Sequence, residues 1–241
     1  MPRTSALCLT LLICAVLWPG LGHAQEISID LGGEGSVSAR AIQLIALITV
    51  LSLAPGLAIM ITCFPFIVTV LSILRQAIGL QQSPPNMLIV SLALFLTYFV
   101  MAPVFQEAYA VGIAPMIDGS LGVEDALSAA YEPFRGFMMN RVDGETLASL
   151  SGLRGETLSE VPDASILIPS FMLSEVERAF QIGFLIFLPF LIIDLVVAAI
   201  LMSMGMMMVP PAIVSLPFKL AFFVVADGWT LITGALVRSY F

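Results

Sequence analysis

Three charged residues lie inside the apolar stretches near the end of the chain and could carry chemistry there. Asp194 occurs in "LIIDLVV", Lys219 in "LPFKLAFF" and Asp227 in "VVADGWT", and Lys219 is the only lysine in the sequence. A charged side chain in the middle of a bilayer costs a few kcal/mol, so such residues pair, line a wet cavity or carry ions. These three residues are therefore the first candidates for a functional site.

Lys219 has two possible carboxylate partners. The eight positions between Lys219 and Asp227 correspond to about 12 Å of rise along a helix, which is too far for a direct bond. Asp194 lies in a separate segment and is the better partner, either within one chain or across a subunit contact. The pair could fix how the segments pack, or it could belong to a proton or ion pathway. Proton relays favour carboxylates and histidines, and the only histidine is His23, so the sequence favours a buried structural pair with Asp227 as a possible additional buried charge.

A second unusual feature is the stretch "MSMGMMMVPP" at 202–211. Consecutive residues on a helix point about 100° apart, so three consecutive methionines cannot face one partner from a regular helix. Glycine and two prolines flank them, and a residue that precedes a proline disfavours the helical conformation. The methionines are Met206, Met207 and Met208. The loop-shaping residues are Gly205, Pro210 and Pro211.

Two hypotheses explain the methionines of this predicted loop. Irregular backbone at membrane depth is tolerated only where it is buried in protein or lines a cavity. Methionine is flexible and polarizable and fills irregular gaps. The side chains could pack between helices, or loops from several subunits could close a pore and still deform around different passengers. The residue types alone leave both hypotheses open.

The composition tells which kind of element must position these residues. Hydrophobic residues make up 59% of the 241 residues, charged residues only 11%, and the mean hydropathy is +1.05. Soluble proteins carry about 25% charged residues, and about 20 consecutive apolar residues form a membrane-spanning helix. We therefore predict an all-α membrane protein with four hydrophobic helical segments and a helical polar domain.

The first 24 residues have the pattern of a secretory signal peptide. Arg3 precedes a short apolar region, and small residues at Gly22 and Ala24 fit a cleavage site after Ala24. Cleavage would remove the only histidine and two of the three cysteines, leaving Cys63. We find no nucleotide-binding, zinc-protease or nucleophile-elbow motif. The sequence therefore predicts neither an enzyme nor a cofactor or metal site.

The rest of the chain divides by composition into four regions. The predicted regions are a polar exported tail at 25–40, two apolar segments with a Pro-rich connector at 41–104, an acidic domain at 105–178, and the last two apolar segments with the Met/Pro loop at 179–241. The acidic domain holds twelve acids and four arginines, a net charge of −8, and its scattered apolar residues predict short helices. If the N-terminus is exported, four crossings place this domain outside the membrane and the Met/Pro loop inside.

Helix boundaries are predicted from proline, glycine and capping patterns. Residues 41–74 are expected to form a helix that is kinked or broken at Pro55-Gly56 and Pro65 and that ends near Arg75. Residues 87–104 are expected to form a second helix that ends at Pro103. Ser174 and Glu177 have the spacing of a capping box and predict the start of the third helix. Residues 212–237 are expected to form the fourth span.

Three long blocks resemble the flagellar biosynthetic protein FliP family. They are "GMMMVPPAIVSLPFKLAFFVVADGW" at 205–229, "LRQAIGLQQSPPNMLIVSLALFLTYFVMAPV" at 74–104 and "IPSFMLSEVERAFQIGFLIFLPFLIIDLVVA" at 168–198. Family members commonly have "FTR" where this chain has Phe64-Pro65-Phe66, so contacts of these three residues are not carried over. The virulence injectisome counterpart is similar in the same blocks, but the signal peptide and "MMMVPP" favour the flagellar version.

The resemblance implies a non-catalytic core subunit of the flagellar type III protein export gate. In the family, a pentamer of this subunit assembles with Q-type and R-type subunits inside the basal-body ring, at the bacterial inner membrane, and contacts other export-apparatus membrane subunits. Much of its apolar sequence is raised toward the periplasm, where the N-terminus and acidic domain lie. Unfolded flagellar proteins pass through its centre, and no nucleic acid is involved. The gasket falls on Met206, Met207 and Met208, and an intersubunit acid–lysine pair falls on Asp194 and Lys219. The alternative functions are an injectisome gate subunit and an ion- or proton-coupled transporter.

Overall fold

The structure is a computed structural model that describes residues 37–79, 84–155, 161–206 and 208–241. The chain divides into two compact units, Met1–Leu47 and Ile48–Phe241. Residues 37–47 are the described part of the first unit and are helical. The predicted signal peptide and residues 25–36 of the predicted tail lie outside the described residues. The core and the site described below belong to the second unit.

The described residues form nine α-helices and one π-helical segment, and they contain no strand. This confirms the all-α class that the composition predicts. The elements are α1 Val37–Met60, α2 Phe64–Ile78, α3 Asn86–Ala108, the π-helical segment Tyr109–Ile113, α4 Ala114–Ile117, α5 Val123–Met139, α6 Gly144–Leu153, α7 Ala164–Ser203, α8 Pro211–Val225 and α9 Gly228–Arg238.

Three described helical stretches are long and apolar enough to cross a membrane. They are Ala41–Met60, Asn86–Ile117 and Ala164–Ser203. The pair α8 and α9 would make a fourth span if its two helices are counted together, although they are bent by 61°. Helix α2 is apolar but has only 15 residues. The predicted four hydrophobic segments are therefore present, with the last one bent.

Helix α2 forms the centre of the core and packs against α3, α7 and α8. Its fully buried side chains include Phe66, Leu71 and Leu74. Contact with α7 is close because Gly183 faces Ile73; a Cβ atom on Gly183 would lie 2.4 Å from Ile73 Cδ1. A 15-residue apolar helix is thus covered by protein along much of its length.

The first helix break lies at 61–63, between α1 and α2. The predicted break at Pro55-Gly56 is wrong, since Pro55 lies inside α1. Pro65 is in the first turn of α2, where its missing N–H would have no intrahelical acceptor and its fixed φ suits the helix. The proline near the true break therefore begins a helix, and the other is accommodated within one.

The predicted end of the second apolar helix at Pro103 is also wrong. Helix α3 continues through Pro103 to Ala108, and the π-helical segment and α4 extend the helical path to Ile117. The π-helical segment packs against α5, so tertiary contacts support helical backbone beyond the proline. As a result, the predicted boundary at 104/105 lies inside a helix.

Helix α7 begins eleven residues earlier than the capping-box spacing predicts. Its N-cap is Asp163, whose carboxylate accepts hydrogen bonds from the backbone N–H and hydroxyl of Ser165. Ser174 is buried inside the helix, where its hydroxyl donates to Ser170 O at 2.8 Å and accepts from the Asp143 N–H at 3.0 Å. The serine therefore connects α7 to the turn before α6 and does not cap a helix. The predicted boundary at 178/179 lies inside α7.

The fourth apolar segment is not one straight helix. It breaks at Ala226 and Asp227, and Asp227 adopts the left-handed conformation with φ 48° and ψ 47°. The rings of Phe223 and Trp229 pack edge to face across the bend, with centroids 5.4 Å apart. Asp227 therefore lies at a bend between two helices, whereas the sequence predicted that it lies inside one continuous span.

Candidate functional site

The methionine loop begins where α7 ends at Ser203. Gly205 has φ +77°, its N–H donates to Met202 O at 3.1 Å, and the N–H of Met206 donates to Leu201 O at 3.0 Å. These two bonds form a Schellman motif, which requires a left-handed residue after the helix and therefore favours glycine. The glycine thus ends α7 by satisfying the last free carbonyl groups of the helix.

Two prolines set the other end of the loop. Pro210 is the N-cap of α8 with φ −65° and ψ 119°, and Pro211 is the first residue of the helix. A proline at this first position is compatible with a helix, while the residue before it is held in an extended conformation. The described backbone therefore leaves helical geometry for local reasons at Gly205 and Pro210, two of the three positions that the sequence singles out, and Pro211 begins the next helix.

The methionine side chains in and beside this loop are exposed. Met208 is 97% exposed and Met206 46%, while Met202 and Met204 at the end of α7 are also exposed. Met207 lies outside the described residues. Within one chain, packing between helices therefore does not account for Met208. Met206 lines one end of an apolar groove of about 540 Å³ between α7 and α8, together with residues such as Val197 and Phe218.

Asp194 and Lys219 meet within one chain. Lys219 Nζ lies 2.6 Å from Asp194 Oδ2, and Lys219 is only 5% exposed. The ammonium also donates to the backbone oxygen of Ala77 at 3.1 Å, in the last turn of α2. The negative end of a helix favours a cation, so the lysine has two complementary partners. Both charges are thus satisfied within one chain, and the intersubunit contact that the resemblance implies stays a prediction.

Ser215 completes the group around Asp194. Its hydroxyl donates to Asp194 Oδ1 at 2.5 Å, and Ser215 is buried one helical turn before Lys219 on α8. Residues four apart lie on the same helix face, so α8 presents a hydroxyl and an ammonium to the same carboxylate. Neither Ser215 nor the Ala77 carbonyl was predicted from the sequence. The four-residue spacing from the only lysine could have identified Ser215, whereas no side-chain pattern marks a backbone oxygen.

Asp227 does not join this group of buried residues. It is exposed at the N-cap position of α9, and its Oδ1 accepts a hydrogen bond from Thr230 Oγ1 at 3.2 Å. Within this single chain Asp227 is exposed, and its role as an additional buried charge stays a prediction. Among the described residues, no three His, Cys, Asp or Glu side chains lie close enough to hold a metal ion.

Comparison with known proteins gives the family. Residues 47–236 match the FliP family. Flagellar biosynthetic protein FliP of Caulobacter vibrioides is 51% identical over 237 residues, which cover 96% of this chain and 88% of that protein. The chain belongs to the FliP family.

Other FliP proteins show similar coverage. The FliP proteins of Agrobacterium fabrum and Bacillus subtilis are 46% and 45% identical over 230 and 203 residues. These alignments cover 92% and 83% of this chain and 94% and 91% of the two relatives. The residues that match the FliP family include the methionine loop, the Asp194–Lys219 pair and Ser215. The resemblance to this family that the sequence blocks predicted is confirmed.

Proposed function

We propose that this chain is a non-catalytic core subunit of the flagellar type III protein export gate, where it forms part of a gated channel for unfolded flagellar proteins. Family membership supports a role in flagellum assembly, because the relatives described above carry the name flagellar biosynthetic protein. The same names favour the flagellar gate over an injectisome gate. No observation on the described residues favours an ion- or proton-coupled transporter.

The methionine loop is the observation that supports the gated channel. A loop held out of helix at both ends exposes flexible apolar side chains, with Met208 97% exposed. Exposed apolar groups favour contact with another protein surface, and methionine adapts to irregular partners. Loops from several copies around one axis would close a narrow apolar passage, and they could yield to different unfolded chains. The partners in this proposal are further copies of the chain and the Q-type and R-type subunits.

The position of the loop along α7 supports a location across the inner membrane of the flagellar basal body. Glu175 and Ser203 lie 28 residues apart on α7, which corresponds to about 42 Å of helix rise. That length exceeds the hydrocarbon thickness of about 30 Å. If the polar segment around Glu175 faces the periplasm, the methionine loop then lies toward the opposite side. In this proposal, the N-terminus and the acidic segment are periplasmic.

The Asp194–Lys219 pair has a structural role in this proposal. It joins α7 to α8, and the Lys219–Ala77 bond adds the end of α2, so the pair fixes the helices that carry the loop. Lys219→Ala and Asp194→Ala should each reduce gate assembly. Exchange of the two residues should restore assembly only in part, because an aspartate at position 219 would face the Ala77 oxygen.

Secretion of hook and filament subunits tests the export function. A strain in which the gene is deleted should secrete neither protein, and the wild-type gene on a plasmid should restore both. Subunit levels inside the cell are measured in parallel, so that loss of synthesis is not mistaken for loss of export. Normal secretion from the deletion strain would contradict the proposal.

Ion leakage tests the gasket separately from export. Replacement of Met206, Met207 and Met208 with alanines should increase the leak of small ions through the assembled gate, since alanine fills less of the passage. Met202→Ala is the matched control, because Met202 is 62% exposed but lies on the last turn of α7. An equal leak in the triple variant and the wild type, at equal amounts of assembled gate, would contradict the gasket.

A further inference from the structure

A fully buried carboxylate lies near the end of α7 that is remote from the methionine loop. Glu175 is 0% exposed, and its Oε1 accepts hydrogen bonds from Arg141 Nε at 3.1 Å and Arg178 Nη1 at 2.9 Å. Its Oε2 accepts a hydrogen bond from the hydroxyl of Tyr240. Both carboxylate oxygens are therefore used, and three different parts of the chain supply the donors.

Tyr240 fits into this cluster with its ring as well as its hydroxyl. The ring stacks on Phe137 with centroids 6.0 Å apart and meets the buried Phe66 edge to face at 5.6 Å. The guanidinium of Arg141 lies 4.1 Å from the ring centroid, a cation–π distance. Burial, followed by the nearby Glu175 charge, raises the pKa of Tyr240. The hydroxyl therefore stays protonated and remains a donor to Glu175.

The backbone after α9 is attached to the same cluster. Arg141 Nη1 donates to Ser239 O at 2.8 Å, and Arg178 Nη2 donates to Arg141 O at 3.2 Å. Arg141 lies in the turn between α5 and α6, and Arg178 lies on α7. The cluster thus connects residues 239–240 to α7 and to the turn between α5 and α6. The charged side chains that make these connections are buried or partly buried.

Helix α9 has few other buried side chains to hold it in place. Only Gly228 and Leu236 of its 11 residues are buried. At its start, the non-glycine residue Asp227 is held at φ 48°. A left-handed conformation at a residue with a side chain is unfavourable and persists only where the surrounding structure enforces it. One end of α9 is therefore strained, while the other end is tied to a buried ionic cluster.

We propose that Tyr240 and the cluster of Glu175, Arg141 and Arg178 form a latch, called the Tyr240 latch, which holds α9 in place and maintains the bend at Asp227. When the latch is released, α9 moves away from the core and the bend relaxes. The latch goes beyond the gate function, because it concerns the stability of one helix within the chain and involves neither the methionine loop nor a partner.

Hydrogen exchange of the full chain in detergent tests the latch. Tyr240→Phe keeps the ring and its aromatic contacts but removes the hydroxyl, so the chain should still fold. We expect the amides of α9 to exchange about 10-fold faster or more, as for the loss of a hydrogen bond to a charged group. Amides of α5 should exchange at unchanged rates. Tyr98→Phe is the control, since Tyr98 is 67% exposed.

Variants at Asp227 test whether the bend and the latch belong to one opening unit. Asp227→Ala should accelerate exchange of the same α9 amides, because alanine adopts the left-handed conformation less readily than aspartate. Asp227→Asn should have little effect, because asparagine tolerates that conformation. Trp229 reports the same opening by fluorescence, since its ring lies against Phe223 and the only other tryptophan, Trp18, can be replaced by phenylalanine.

Two results would overturn the latch. The first is that, in Tyr240→Phe, the amides of α9 exchange at the wild-type rate and the fluorescence of Trp229 is unchanged. The second is equal acceleration in α5 and α9, which would indicate a general loss of stability and no local release. Both measurements use the isolated chain without partner subunits, so their outcome is independent of whether the chain exports flagellar proteins.

Discussion

In the first half of α7 the carboxylate of Glu175 is fully buried and accepts hydrogen bonds from three side chains, whereas in the loop that follows α7 the side chain of Met208 is 97% exposed. The polar group is inside and satisfied, and the apolar group is outside without a cover from its own chain. A buried charge of this kind is strongly destabilising when a partner is removed. An exposed methionine contributes little to the stability of a single chain. The first region therefore supports the fold, while the second is suited to contacts beyond the chain.

The largest effect that this contrast predicts is at Glu175. Glu175→Ala should destabilise the chain by about 3–5 kcal/mol, because two arginines lose their buried carboxylate. Thermal unfolding in detergent, or loss of folded protein on expression, measures the change. Glu177→Ala is the matched control on the exposed face of α7, with an expected change within about 0.5 kcal/mol. Equal stability of the two variants would break the contrast between the two regions.

A smaller effect is expected between the two regions, where α7 contacts α2. Gly183→Ala would place a Cβ 2.4 Å from Ile73 Cδ1, and overpacking of this kind costs about 1–3 kcal/mol. Ile73→Val removes the Cδ1 atom and should recover part of the loss in the double variant. Gly152→Ala in α6 has no atom within 4 Å of the new Cβ and should not destabilise. If the double variant recovers no stability, the close approach of α2 and α7 is not the cause of the loss in Gly183→Ala.

Ser215 sharpens the description of the ion pair. Ser215→Ala removes a hydrogen bond to Asp194, and because that carboxylate is 32% exposed the expected loss is about 1 kcal/mol. Ser215→Thr keeps the hydroxyl and should retain more stability than the alanine variant. Thermal unfolding of both variants in the same detergent measures the difference. If threonine and alanine have the same effect, the hydroxyl is not what supports Asp194.

The smallest effects on stability are expected in the methionine loop. Met208→Ala should change the free energy of unfolding by less than about 0.5 kcal/mol, since the side chain is almost fully exposed. Met206→Ala should cost more, because Met206 lines the groove between α7 and α8. Thermal unfolding measures whether a methionine supports the fold, and ion leakage measures whether it closes the passage, so the two measurements separate these roles. A large loss of stability in Met208→Ala would show that the loop supports the fold of the single chain.

Local sequence patterns predicted the loop better than they predicted the helix boundaries. Gly205 and the two prolines act through their own backbone preferences, so their effect is visible without any neighbour. Ser174 is different, because its capping-box spacing with Glu177 is local while its hydroxyl is used by Asp143 from another element. The true N-cap, Asp163, also has a suitable side chain in front of an apolar run. Asp163 was not predicted as a cap, and packing determined where the helix begins.

Charge scarcity explains why the sequence indicated Asp194 and Lys219 but not the Glu175 cluster. One lysine among apolar residues has few carboxylates to choose from, and the structure brings it to 2.6 Å from Asp194. Glu175 lies in a segment with many acids and arginines, where the sequence gives no reason to prefer one pairing over another. One of its donors is Tyr240, which is 65 residues away. Contacts over that distance follow from the packing of the helices.

The amino-acid sequence by itself determined the membrane class, the helical content, the family and the positions where the backbone leaves α7 and enters α8. These depend on total apolar content, on long similar blocks and on the fixed preferences of glycine and proline. Only the tertiary structure decided that α2 is the core helix, that α9 bends away at Asp227 and that Glu175 is buried while Asp227 is exposed. The physical reason is that burial depends on which surfaces meet, and residues far apart in sequence supply those surfaces.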